Sequence, residues 1–173
     1  LKAFEEVKPN LILMVPLILE KIYKKMILPQ LSKRTLKLAL NIPLLDSRIY
    51  AQIRKHLVDA LGGRFREVIV GGAAMNQEVT DFLYKIKFPF TIGYGMTECG
   101  PLISYDHNDE YVPGSCGQIL KGIMKVRIDS EDPYNKVGEI QVSGENVMKG
   151  YYKNEEATQN VFTKDGWLKT GDL

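Results

Sequence analysis

Cysteine is scarce: Cys99 and Cys116 are the two in 173 residues. They fall in no C-x-x-C arrangement, so a disulfide scaffold is excluded and two reduced thiols in a cytoplasmic protein are expected. Histidine is as rare, with His56 and His107 alone, which leaves a zinc site weak support. No charge of one sign dominates. With 23 basic and 21 acidic residues the formal net charge is +2, too balanced for nucleic acid as a partner. The longest apolar run, residues 11–19, is nine residues long and contains Pro16. A spanning helix needs about 20 apolar residues. There is no internal repeat, no low-complexity tract and no secretory leader pattern. An initiator Met is missing and the sequence stops on Gly171-Asp172-Leu173, so a piece of a longer protein is expected. Such a piece should expose apolar surface and favour self-association.

What is present is an ordinary globular composition, 45% hydrophobic and 25% charged. After Pro9 an apolar segment reads as extended, and Pro16 suits the first turn of a helix. Ile18, Leu19, Ile22, Tyr23 and Met26 follow helical spacing, and Pro29 should end or kink that helix. Residues 32–45 are basic and apolar and have no clear assignment. Lys24, Lys25, Lys33, Arg34 and Lys37 read as a solvated face, with a membrane-surface role as the alternative. Ser47 could cap a second helix striped by Ile49, Ile53, Leu57 and Leu61 and stopped by Gly62-Gly63. His56 beside that stripe reads as a surface residue. Val68-Ile69-Val70 shows no polar alternation, as in a central strand covered on both faces. Asn76 then caps a helix with Val79, Phe82, Leu83 and Ile86 on one face, Pro89 breaks it, and residues 90–94 return as a strand. This is the grammar of a largely parallel, doubly wound α/β sheet with helices on both faces over residues 1–110. Residues 111–173 read as a smaller antiparallel β subdomain, because Met124, Val126 and Ile128 alternate with polar residues and residues 137–143 do the same. Residues 154–161 suit a short helix and Asp165-Gly166 a tight turn.

Three constellations could carry chemistry. Gly71-Gly72-Ala73-Ala74 follows a predicted parallel strand, at the sheet edge where open α/β sheets bind ligands; the alternative is a tight turn needing glycine. It is no dinucleotide fingerprint, because G-x-G-x-x-G is absent. In Gly93-Tyr94-Gly95-Met96-Thr97-Glu98 an aromatic ring between glycines can stack on a base, Thr97 offers a hydroxyl to an anion, and Glu98 offers a hard oxygen to Mg²⁺. Its alternative is a glycine-rich loop with a core Tyr and a solvated Glu. Asp172, after Trp167-Leu168-Lys169-Thr170-Gly171, could accept two hydrogen bonds from vicinal ribose hydroxyls or be solvated. His107 lies in a polar loop. No Ser or Cys nucleophile motif accompanies either histidine, so triad chemistry has no support.

Taken together and in order, these segments resemble the adenylate-forming (AMP-binding) superfamily of acyl-CoA synthetases, luciferases and peptide-synthetase adenylation domains. Gly71-Gly72-Ala73-Ala74 resembles its adenine-side loop, and Tyr94-Gly95-Met96-Thr97-Glu98 its Y-G-x-T-E motif. Gly138-Glu139-Ile140, then Gly144 and Lys149-Gly150-Tyr151-Tyr152, is similar to its G-E-[IL]…G…[RK]-G-Y segment, and Thr170-Gly171-Asp172-Leu173 to its T-G-D-L. Earlier, Val7-Lys8-Pro9-Asn10 and Val15-Pro16 leading into Glu20-Lys21-Ile22-Tyr23 resemble the long-chain acyl-CoA synthetase branch.

The resemblance implies a ligase that adenylates a fatty acid with ATP and Mg²⁺ and passes the acyl group to coenzyme A. Gly72, Ala73 and Ala74 would line the adenine, Tyr94 would stack on it beside Gly95 and Met96, and Thr97 would bind the α-phosphate. Glu98 would ligate Mg²⁺, and Asp172 would hold the ribose. Gly71, Gly93 and Gly95 would leave room for the acyl group. The family's phosphate loop would lie before residue 1, and its small domain with the adenylation lysine after residue 173, so this piece alone is expected to be inactive. Cytoplasmic location is expected, and a peripheral membrane contact stays open. The rival readings are a synthetase for another carboxylic acid, a non-catalytic nucleotide-binding module and a structural interaction domain.

Overall fold

The computed structural model describes residues 2–33, 39–40, 42 and 45–173. Most of residues 32–45, including Arg34 and Lys37 of the basic scatter, lie outside the described residues. The chain forms two compact units, Leu1–Ile92 with Asp106–Cys116, and Gly93–Tyr105 with Gly117–Leu173. The boundary expected near residue 110 thus falls inside a segment that packs with the first unit, and the second unit begins at Gly93.

The first unit is mixed α/β. A short helix α1 (Lys2–Val7) precedes β1 (Leu11–Met14). Helix α2 (Pro16–Ile22) starts on Pro16, whose missing N–H costs nothing in a first turn. The helical run then continues through Pro29. Residues Tyr23–Ile27 widen into a π turn in which the Leu28 N–H reaches the Tyr23 carbonyl, and α3 (Leu28–Leu31) follows. A proline inside an α-helix removes one hydrogen bond and crowds the carbonyl four residues back. The widened turn accommodates both, and the helix goes on. Helix α4 (Leu45–Ala60) begins ahead of Ser47, so Ser47 sits in its first turn and is not the cap. Ile53, Leu57 and Leu61 of its predicted stripe are buried, and His56 is exposed.

Strand β2 (Glu67–Val70) lies between β1 and β3 (Phe90–Ile92), parallel to both. Helix α5 (Gln77–Lys85) connects β2 to β3, and the Asn76 side chain accepts the Val79 N–H at 3.2 Å, as its cap. The register aligns Ile12 with Val68 and Phe90, and Met14 with Val70 and Ile92. These residues share one face and one cluster with Leu19, Ile53, Leu57, Val79 and Leu83 from the helices. Burying one such side chain contributes about 1.5–3 kcal/mol. The alternate residues face the other way. Leu13 there is 72% exposed, while Glu67 is only 6% exposed. The backbone N–H and side-chain amide of Asn108 donate to Glu67 Oε2, His107 Nδ1 lies 3.5 Å from Oε1, and the Thr91 hydroxyl donates to the Asp106 carbonyl.

In the second unit, β4 (Tyr94–Gly95) pairs antiparallel with β5 (Leu102–Ser104), and the 3₁₀ turn Thr97–Cys99 lies between them. The strand expected over residues 90–94 therefore divides at Gly93 between two sheets. Strands β6 (Met124–Asp129), β7 (Glu139–Gly144) and β8 (Leu168–Lys169) form an antiparallel sheet in that order. Helix α6 (Glu155–Val161) is capped by Asn154, whose side chain accepts the Ala157 N–H at 3.0 Å. Cys99, Ile103, Met124, Val142 and Leu168 form this unit's core. The Asp165-Gly166 turn is tied to β6, because Arg127 grips Asp165 with two nitrogens at 2.6 and 3.0 Å and stacks over the Trp167 ring.

Candidate functional site

Tyr94 leaves the buried Gly93 on β4, and its ring is half-buried. Its phenol donates to Asp172 Oδ2 at 2.6 Å. Burial first, and then the Asp172 carboxylate, push the phenol's pKa up to about 12, so it stays a donor at any physiological pH. The backbone that carries this carboxylate is held by β7 and by Thr170. The Ile140 N–H donates to the Asp172 carbonyl at 2.8 Å, the Gly171 N–H to Glu139 Oε1 at 3.0 Å, and the Asp172 N–H to the Thr170 hydroxyl at 3.1 Å. The exposed Asp172 thus has one oxygen oriented by a phenol and the other free to accept among the described residues.

Past Gly95 the chain turns sharply. A Cβ on Gly95 would sit 1.9 Å from the Pro101 carbonyl oxygen, so only glycine lets β4 and β5 close. The space its absent side chain leaves is filled by Pro101, and Gly95 serves packing in the hairpin. Met96 is half-buried in the second unit's cluster, and Thr97 is exposed at the start of the 3₁₀ turn. Glu98 is half-buried. Its Oε1 accepts from the Tyr151 phenol at 2.8 Å, and its carbonyl accepts the Met148 N–H at 2.7 Å. Its Oε2 has no hydrogen bond among the described residues. Cys99 is fully buried, and burial, then the neighbouring Glu98 charge, raise its pKa to about 11.

The structure therefore brings Tyr94 together with Asp172, and Glu98 together with Tyr151, all on the second unit's elements. Gly71, Gly72, Ala73 and Ala74 belong to the first unit, in the turn after β2, with Gly72, Ala73 and Ala74 exposed. Gly72 has φ +88, a conformation glycine adopts freely. At the other end of β1 and β2, a cleft of about 910 Å³ is lined by Asn10, Arg64, Arg66, Glu67, His107 and Asn108. Sequence reasoning missed Tyr151, Thr170 and Glu139 as partners of the site. Each lies within one of the family-like motifs, but the pairings join residues 30 or more apart and have no local signal.

Residues able to hold a cation fit magnesium better than zinc or calcium. Among the described residues no three His, Cys, Asp or Glu side chains converge on one point. Glu98 offers a single hard oxygen, and Mg²⁺ is commonly held by one or two carboxylates together with substrate phosphates. Among the described residues, no helix is long and apolar enough to cross a membrane.

Comparison with known proteins bears on the same segments. A long-chain-fatty-acid–CoA ligase of Saccharomyces cerevisiae is 29% identical over 186 aligned positions, covering 98% of this chain and 27% of that protein. A second yeast ligase of that name is 34% identical over 140 positions, covering 77% of this chain and 20% of its own. A 4-coumarate–CoA ligase of Glycine max is 38% identical over 115 positions, covering 60% of this chain and 39% of that protein. The chain thus spans well under half the length of these relatives. Among solved structures, a malonyl-CoA ligase product complex with methylmalonyl-CoA and AMP bound has a TM-score of 0.67 at 23% identity, covering 98% of this chain and 32% of that one. An o-succinylbenzoate coenzyme A synthetase of Bacillus subtilis, in complex with ATP and magnesium ion, has 0.65 at 23%, covering 98% and 30%. These two likenesses speak for the fold. Residues 1–152 match the model of the AMP-binding enzyme family, and with the motifs at residues 94–98 and 170–173 in order, the chain belongs to that family.

Proposed function

We propose that this chain is the nucleotide-binding part of an AMP-forming carboxylate–CoA ligase whose acid is a long-chain fatty acid. The observation that carries the reading is the 2.6 Å hydrogen bond from Tyr94 to Asp172. It fixes an exposed carboxylate beside a half-buried aromatic ring, the pair a nucleoside needs for its ribose and its base. Tyr94 stacks on adenine, Asp172 Oδ1 accepts from the ribose, and the exposed Thr97 hydroxyl donates to the α-phosphate. Gly72, Ala73 and Ala74 keep the adenine-side role that the family resemblance gives them, and Gly71 and Gly93 the room for the acyl group. Glu98 would hold Mg²⁺ through its Oε2, and the ion would supply charge that offsets the phosphates as pyrophosphate leaves.

In this reading the acid's carboxylate oxygen attacks the α-phosphorus of ATP, forming acyl-adenylate and releasing pyrophosphate. The sulfur of coenzyme A then attacks the acyl carbon, and AMP leaves. The three-stranded sheet of the first unit is read as part of a larger, doubly wound sheet. Leu13 on its open face supports this, since an apolar side chain 72% exposed has a natural cover in a second helical layer. The acid itself rests on the two yeast relatives. The soybean relative, 38% identical over a shorter stretch, favours an aromatic acid as the second reading.

The test is ATP–pyrophosphate exchange by the full-length protein across acids of two to eighteen carbons, with 4-coumarate included. Exchange greatest with acids of about sixteen carbons is expected. Exchange with 4-coumarate alone selects the second reading, and no exchange with any acid refutes the ligase reading.

A further inference from the structure

The Lys149-Gly150-Tyr151 segment has no part in the ligase chemistry above, yet the structure ties it to Glu98 twice. The Met148 N–H donates to the Glu98 carbonyl at 2.7 Å, and the Tyr151 phenol donates to Glu98 Oε1 at 2.8 Å, across 53 residues of sequence. The Glu98 carboxylate holds the phenol proton, raising the pKa of Tyr151 above the usual value.

Tyr151 is in turn placed by α6. Its N–H donates to the Thr158 hydroxyl at 2.9 Å, and that hydroxyl donates to the Asn154 carbonyl at 2.8 Å. Asn154 caps the same helix. Gly150, with φ +150, lies so close to Thr158 that a Cβ would stand 2.7 Å from its methyl group. Only glycine therefore lets the loop press against α6 at this point. The order is cap, helix, Thr158, Tyr151 backbone, Tyr151 phenol, Glu98.

We propose that Tyr151 is a positioning residue for Glu98: its phenol takes Oε1, fixes the rotation of the carboxylate, and leaves Oε2 presented to the divalent cation of the nucleotide complex. This rests on the ligase reading for the identity of the cation's partner, ATP. The physical reason is general. A ligating carboxylate with one oxygen already hydrogen-bonded loses little rotational freedom on meeting its metal, and removing the outer partner weakens metal binding by about 10- to 100-fold. The pairing also assigns a duty to the lysine–glycine–tyrosine motif.

The test uses the full-length protein, Mn²⁺ as the probe, and ATP. Electron paramagnetic resonance titration reads cation affinity without turnover, and the Mg²⁺ concentration for half-maximal pyrophosphate exchange reads it with turnover. Tyr151→Phe keeps the ring and removes the hydroxyl, so near-native melting is expected. We expect Mn²⁺ affinity about tenfold lower, half-saturating Mg²⁺ raised by the same factor, and the KM for the acid unchanged. Combined with Glu98→Gln, Tyr151→Phe should add nothing further. Unchanged Mn²⁺ affinity in Tyr151→Phe, or an equal loss in the Glu98→Gln background, overturns the proposal, as does a wild-type protein that binds no Mn²⁺ with ATP. Saturable Mn²⁺ binding without exchange on any acid would instead refute the ligase reading and leave the positioning role to be judged on the titration alone.

Discussion

Tyr94 and Asp172 lie 78 residues apart in sequence, and their side chains meet at 2.6 Å. Each residue was legible as a candidate from its neighbours: a ring flanked by glycines, and a carboxylate after a short strand. Their pairing was not, because a hydrogen bond between distant segments leaves no local pattern. The same holds for Tyr151 and Glu98. Gly95 shows it too: the Pro101 carbonyl oxygen stands 1.9 Å from where its Cβ would be, a close approach set by the pairing of β4 with β5. The two cysteines offer a direct check at this scale. Burial raises both thiols, that of Cys99 to about 11, but Cys99 is fully buried and Cys116 is exposed. The thiolate is the species that reacts. Iodoacetamide at neutral pH should therefore modify Cys116 and leave Cys99 intact until the chain unfolds, as read by peptide mass spectrometry. Equal rates at both would contradict the burial.

At the scale of elements, the period of apolar residues was the strongest signal, and it located α4, α5 and the antiparallel pair β6 and β7. A cap followed where a polar side chain preceded the run, as at Asn76, whereas Asn154 caps α6 from a position read as part of the helix itself. Ser47 misled because α4 begins two residues before it. Pro29 misled in part, because a π turn lets a helix pass through a proline. Glycine substitutions separate two costs. Gly95→Ala meets a backbone oxygen that cannot yield without parting β4 from β5, and should destabilise the second unit by about 3 kcal/mol. Gly72→Ala has its nearest neighbour at 3.9 Å and strains only its φ of +88, which costs about 1 kcal/mol. Urea unfolding of the two variants should rank them in that order; the reverse order would show that the hairpin relaxes freely. The Asp165 turn adds a pH dependence. Arg127 foremost, then the Thr163 hydroxyl, hold the Asp165 carboxyl well below the usual carboxylate range. A lowered folded-state value gives stability that is present above the unfolded value of about 4 and is lost as the pH falls toward the folded one. The melting temperature of Asp165→Asn should lie below that of wild type at pH 7, and the gap should narrow progressively as the pH falls below 4. A gap independent of pH would contradict the ion pair's role.

At the scale of the whole molecule, the mixed α/β class and the antiparallel β region followed from composition and periodicity, and the family from motifs in order. The division of the chain did not. It returns to the first unit at Asp106–Cys116 after entering the second at Gly93, and no change in composition marks those crossings. Anchors such as Asn108 on the buried Glu67 hold the returning segment, and a carboxylate opening an apolar strand was the one visible hint. The central claim is that this family member binds a nucleotide through the Tyr94–Asp172 pair. The measurement that reaches it most directly is the affinity of the full-length protein for AMP, by calorimetry, with and without Asp172→Ala. Loss of hydrogen bonds to a charged group, about 2–3 kcal/mol, predicts AMP binding about 30- to 150-fold weaker; an unchanged affinity would contradict the account.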